Sequence, residues 1–293
     1  MKSFKNIIYL LLLVVLIQCK TNNSKNTVLS TADSTGTDTV ERVTYLLPSP
    51  EKMLHDIFSN KVAINQDLVN PKSNAEKYLD EKMQSINLGV YIADFAYLNL
   101  NENKANALEY FKLIRNLSEK INIYGFIEKS FFDRINNNLM NNDSLSKIMQ
   151  EMYYNISDIL ENSNRQKVYA LISTGTIIES LYLSVMSVTS YSDYQSVTLE
   201  IFKQKQIFMS LYSFISSFAD DKDIRAVLKQ LIKLKIILDS SVANKSEISV
   251  KKDKGNHLSI HGEEKIIINE KVFLDFKENV KTIRQNIIKI SNN

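Results

Sequence analysis

The chain has 293 residues, a formal net charge of +3, 44% hydrophobic and 24% charged residues, one cysteine and three prolines. That balance suits one large globular domain or two small ones and gives no basis for nucleic-acid binding. A single thiol excludes a disulfide scaffold, and six glycines leave little material for loops that cradle phosphate.

Lys2 and Lys5 open the chain, and Ile7 to Ile17 is unbroken apolar sequence. The run is short for a membrane span and has the length of a secretory hydrophobic region. It ends in Leu16-Ile17-Gln18-Cys19, which resembles the lipobox of bacterial lipoprotein precursors: an apolar pair, a small or polar residue, then cysteine. The resemblance implies a signal peptide over 1–18, a diacylglycerol on the Cys19 sulfur, cleavage before Cys19 and acylation of the new amine. Each buried methylene contributes ~0.8 kcal/mol, so two or three chains anchor stably where one does not. The plainer alternative is an uncleaved signal anchor with an incidental cysteine.

Residues 19–41 follow as the lipidated terminus and a tether. Thr21 to Thr39 is rich in Thr, Ser, Asn and Asp. It cannot bury enough surface to offset its chain entropy, and it gives a reach of roughly 25 Å. Lys20-Thr21-Asn22-Asn23 lacks the acidic residues that follow the cysteine in surface-exported lipoproteins. The expected location is therefore the periplasmic face of the outer membrane, with the lipid on Cys19 as the membrane contact.

Residues 42–293 read as one helical domain. No proline follows Pro71, and five glycines remain beyond it, which favours long helices. Ser49-Pro50 starts a short helix to about Asn60. Ser73 with Glu76 forms a capping-box pattern for a helix to about Asn99, with Gly89 as a bending point; its second half is apolar on nearly every face and belongs at the centre. Asn103 to Ile121 is amphipathic, and Gly125 marks the break after it. Further helices are expected at about 126–139, 143–162, 165–188, 195–218 and 221–240. Between Val242 and Ile268, alternating apolar residues predict a β-hairpin, with or without a third strand. Asn269 then caps a last helix with a stripe of Val272, Phe276, Val280, Ile283, Ile287 and Ile290. Val168 to Val188 is long enough to cross a bilayer, but Glu179 at its centre favours a buried core helix. The expected class is all-α, with seven to nine helices and a minor hairpin before the last.

Two segments carry unusual chemistry: Gly89-Val90-Tyr91-Ile92-Ala93-Asp94-Phe95-Ala96-Tyr97 and Gly175-Thr176-Ile177-Ile178-Glu179-Ser180-Leu181-Tyr182. Each sets one carboxylate in an apolar helix, with Tyr91 and Tyr97 on the face of Asp94 and Tyr182 on the face of Glu179. Both segments resemble those of uncharacterised helical lipoproteins of Gram-negative bacteria, at Gly89, Tyr91, Ala93, Asp94, Tyr97, Gly175, Glu179 and Tyr182; Thr176 and Ile177 depart from the pattern. That resemblance brings no established activity. A buried carboxylate must find partners or take up a proton. Three readings stay open: a structural polar network, a pocket for the polar end of an apolar ligand, or an acid/base pair of a hydrolase.

His257 and His261, near Glu263 and Glu264, read as a solvated tip rather than a zinc site, since no cysteine or third histidine is near. Lys222, Arg225, Lys229 and Lys233 lie along one helix face, either merely solvated or resting on anionic headgroups. The aromatic run Phe202, Phe208, Tyr212, Phe214 and Phe218 reads as core. The expected function is a non-enzymatic, membrane-tethered module that binds a protein partner or a small apolar ligand, with no cofactor and no metal.

Overall fold

The computed structural model describes residues 47–59, 62–100, 104–126, 129–138, 141–241, 249–252, 258–261, 266 and 268–289. The leader, Cys19 and the tether lie outside the described residues. The described part is all-α. Ten α-helices are present among these residues: α1 (Pro50–Phe58), α2 (Glu81–Asn99), α3 (Lys104–Lys120), α4 (Lys129–Asn138), α5 (Asn142–Asn162), α6 (Gln166–Ser187), α7 (Gln195–Lys203), α8 (Lys205–Ser216), α9 (Lys222–Ser240) and α10 (Glu270–Ile288).

The count corrects the expected seven to nine. The extra helix arises at Gln204, where a single continuous helix was expected over 195–218. Gln204 sits at φ −72°, ψ 2°, and its amide donates to the Ile201 carbonyl at 3.1 Å, so the ladder slips by one residue and α7 ends. Two four-residue strands, β1 (Ser249–Lys252) and β2 (Leu258–His261), pair antiparallel with Val250 opposite Ile260. The segment that would join them, 253–257, lies outside the described residues, as does His257.

Helix ends follow local chemistry. Ser49 caps α1, Asp221 caps α9 and Asn269 caps α10, each through its side-chain oxygen. Asp80, not Ser73, caps α2: it accepts from the Met83 amide at 2.8 Å, while Lys72–Lys77 is a separate 3-10 turn. Asn122, not Gly125, ends α3. Asn122 takes a left-handed φ of 56° and the Ile123 amide reaches back to the Ser118 carbonyl at 2.9 Å. Asn164 repeats the device after α5 at φ 57°, with Arg165 reaching Leu160 at 2.8 Å.

The centre is the pair α2 and α6. Both are buried on every side, from Ser85 to Asn99 and over nearly all of α6, and the other helices pack around them. By length and composition α6 could cross a membrane, with a mean hydropathy of 1.4, yet 94% of that window is buried inside the fold. Its hydroxyls make this possible. Thr174, Ser180, Ser184 and Ser187 each donate to the carbonyl four residues back, at 2.7–2.8 Å, so no buried hydroxyl of this set lacks a partner.

Gly89 does not bend α2, which runs through it unbroken. Its role is proximity. A Cβ on Gly89 would collide with the Ile172 carbonyl oxygen of α6, and a Cβ on Gly175 with the Ile86 carbonyl oxygen of α2. The two glycines thus face each other's backbones across one crossing, and Thr176 Oγ1 bridges it to the Gly89 carbonyl at 3.3 Å. That close approach brings Asp94 and Glu179, one turn further along each helix, to the same level.

Candidate functional site

Asp94 and Glu179 meet at the centre of the fold, each with 0% exposure. Arg284, from α10, closes on Glu179. Its Nε donates to Oε2 at 2.9 Å and its Nη2 to Oε1 at 3.0 Å, a two-pronged pair with 7% of the arginine residue exposed. Nη2 also donates to the Leu68 carbonyl at 3.3 Å, and the guanidinium lies over the Tyr182 ring at 4.4 Å. Burial works against the charge of Arg284, but Glu179 outweighs it and holds the guanidinium protonated well beyond its ordinary range.

Among the described residues one cation stands beside two buried carboxyls and hydrogen-bonds only Glu179. Burial, and next the Glu179 charge, push the Asp94 carboxyl well above the usual range, against the pull of Arg284 and the Asn70 amide. Burial therefore favours the neutral form of Asp94, whose Oδ1 is buried with no hydrogen-bond partner among the described residues. Its other oxygen, Oδ2, accepts from the Asn70 backbone amide at 3.1 Å. The centre thus pairs Glu179 with Arg284 and favours the neutral form of Asp94.

Asn70 organises the second half of the site. Its Nδ2 donates to the Tyr78 hydroxyl at 2.9 Å, its Oδ1 accepts from Asn74 at 2.9 Å, and its carbonyl accepts from the Tyr110 hydroxyl at 2.8 Å. Tyr91 donates to the neighbouring Pro71 carbonyl at 3.0 Å and packs edge-on against Tyr110. Burial raises the Tyr110 phenol above its ordinary range. Tyr97, expected beside Asp94, serves a different loop. Its hydroxyl accepts from the Asn65 amide at 2.9 Å and meets the Ser187 hydroxyl at 3.2 Å.

Tyr91, Asp94, Glu179 and Tyr182 therefore belong to one cluster, and Tyr97 stands apart from it. The sequence reading missed Asn70, Tyr78, Tyr110 and Arg284. For Arg284 a signal existed: it lies four residues after Val280, within the apolar stripe of α10, the one cation in that buried row.

No family model, curated protein or solved structure matches this chain. The site must therefore be read from its own chemistry. A proton-sharing carboxyl pair beside an arginine is able to exchange protons, but no atom of either carboxyl residue reaches solvent here. The cleft of about 620 Å³ between the starts of α2, α6 and α9 and the end of α10 has neither Asp94 nor Glu179 in its wall. The cluster instead ties three helices and one loop together: α2 through Asp94, α6 through Glu179, α10 through Arg284, and 68–74 through Leu68 and Asn70.

A second buried carboxyl lies at the start of α1. Glu51 has no cation partner among the described residues and lines a groove of about 400 Å³ with His55, Leu100 and Lys147. Burial raises its pKa from 4.5 to about 7, with only partial relief from its own amide and the Ser49 hydroxyl. The folded chain holds this proton more tightly than the unfolded chain, so the stability it lends is complete below about pH 4.5 and is lost as pH rises through about 7. Glu51→Gln is expected to raise the stability at alkaline pH by about 3 kcal/mol and to leave it unchanged near pH 4. Thermal melts across that range check this; an equal shift at both ends would contradict it.

Proposed function

We propose that the chain is a non-enzymatic, lipid-anchored helical module of the periplasmic face of the outer membrane, whose domain binds a protein partner, with a β-hairpin as a minor appendage before the last helix. The observation that carries the non-enzymatic part is the complete burial of Asp94 and Glu179, with Glu179 held by both prongs of Arg284. A catalytic pair must face a substrate, whereas this pair faces Arg284 and Asn70. The lipobox-like Leu16-Ile17-Gln18-Cys19 supports the anchor. Holding the domain at a surface raises its effective concentration there, which makes a weak interaction useful.

Two measurements test the reading. Cells fed labelled palmitate are expected to label the wild-type chain and not Cys19→Ser; label that survives the substitution defeats the anchor. Native mass spectrometry of the purified protein is expected to find no stoichiometric small molecule. A bound molecule that Asp94→Asn releases would replace the module by a ligand carrier.

A further inference from the structure

The solvent face of α9 combines four cations and two isoleucines with no carboxylate among them. Ile224, Val227, Leu231, Leu234 and Leu238 form its buried stripe. At 100° per residue the opposite arc takes Lys222, Arg225, Lys229, Ile232, Lys233 and Ile236. Ile232 is 39% and Ile236 60% exposed, two of the four large apolar side chains open to solvent among the described residues. The acidic residues of α9 lie off this arc and are engaged elsewhere: Asp223 pairs with Lys82 at 3.2 Å and Asp239 with Lys235 at 2.7 Å. Arg225 donates to the Ala219 and Asp220 carbonyls and forms no ion pair among the described residues. Lys222, Lys229 and Lys233 form no ion pair among the described residues.

We propose that this face of α9 rests on a bilayer surface containing anionic phospholipid. Cations of one sign beside exposed apolar side chains are the composition of helices that lie in a membrane interface. Cations of one sign flanking apolar side chains match a headgroup region, where the isoleucines enter the acyl boundary and the lysines meet phosphate. At ~1.5 Å per residue the helix lies roughly 28 Å along the surface. A second copy of the chain is the poorer occupant, since pairing two such faces would bring eight cations together. The inference stands without the lipid on Cys19, and its test removes that lipid.

Cys19 is the sole cysteine, so a Cys19→Ser chain accepts one new labelling position. The full chain carrying Cys19→Ser and Ile236→Cys, labelled with an environment-sensitive fluorophore, is mixed with vesicles of phosphatidylcholine alone or with phosphatidylglycerol. The label is expected to move to a shorter emission wavelength only on the anionic vesicles, and to revert in high salt. The same dye on Lys112→Cys in α3 is expected not to shift. At roughly fivefold per cation, Lys229→Gln with Lys233→Gln should weaken anionic-vesicle binding by about 25-fold. Equal shifts on both vesicle types, an unaltered affinity in the double variant, or a shift that needs an acidic protein instead of lipid would each overturn the proposal.

Discussion

Arg284→Ala is expected to be the most damaging single change in the domain, costing about 3–5 kcal/mol at neutral pH. The substitution removes the one cation that neutralises Glu179 and leaves two carboxyls facing each other in a site with 0% exposure. The protein's recourse is to protonate both. Ionised carboxyls left without a cation in a buried site are penalised, so the defect should be greatest at high pH and shrink as pH falls through the carboxylate range. Denaturant melts of wild type and variant at several pH values check the sign. Glu179→Gln should cost less than Arg284→Ala, because Asp94 is free to ionise and take over the guanidinium. Asp94→Asn should cost least, within about 1 kcal/mol, since an amide replaces a carboxyl whose neutral form burial already favours. Equal losses from all three changes would mean that the charge is not distributed in this way.

Gly89→Ala should cost about 3 kcal/mol by a mechanism with no charge in it. The added methyl meets the Ile172 backbone carbonyl, which cannot turn aside as a side chain would. α2 and α6 must separate, and the separation loosens every contact along the two most buried helices of the fold. Gly175→Ala meets the Ile86 carbonyl in the same manner, so the double variant should cost less than the sum of the singles, because the first methyl has already opened the crossing. Equilibrium unfolding of the three variants tests this. Additive losses, or a Gly89→Ala protein as stable as wild type, would remove the close crossing from the account.

Much of this architecture is legible in local sequence, and the exceptions share one cause. Ser49-Pro50, Asp221 and Asn269 act as caps because a cap needs only its own next few residues. Ile86 to Leu100 is apolar on nearly every face, which places α2 at the centre, since no solvent face can be drawn on it. What stayed hidden depends on partners far along the chain. Ser73 and Glu76 have the letters of a capping box, yet Asn70 is held by Asp94 and Tyr78, which confines 72–77 to a separate 3-10 turn. The break at Gln204 has neither glycine nor proline to announce it. Asp94 and Glu179 were visible as misfits in apolar helices, but their meeting depends on two glycines that allow the helices to touch. Arg284 lies 105 residues beyond Glu179 and is recognisable only as a charge in an apolar stripe.

The domain should also be more stable in mild acid than in alkali, because Asp94 and Glu51 both hold protons more tightly when folded. This trend runs against Asp221 and Asp239. Hydrogen bonds from Lys167 and Lys235 lower their pKa values, and any stability they give is lost as pH falls. Those two side chains keep 27% and 41% of their surface exposed, so solvent screens their pairs and the buried pair should set the overall slope.

The decisive measurement is the infrared carboxylic-acid C=O band of the folded protein at about pH 8.5, where Glu51 has ionised. A protonated Asp94 predicts a residual band that disappears in Asp94→Asn and persists in Glu51→Gln. If no carboxylic-acid band remains at that pH in the wild-type protein, Asp94 is ionised beside Glu179, and the neutral, closed cluster at the heart of the fold does not exist.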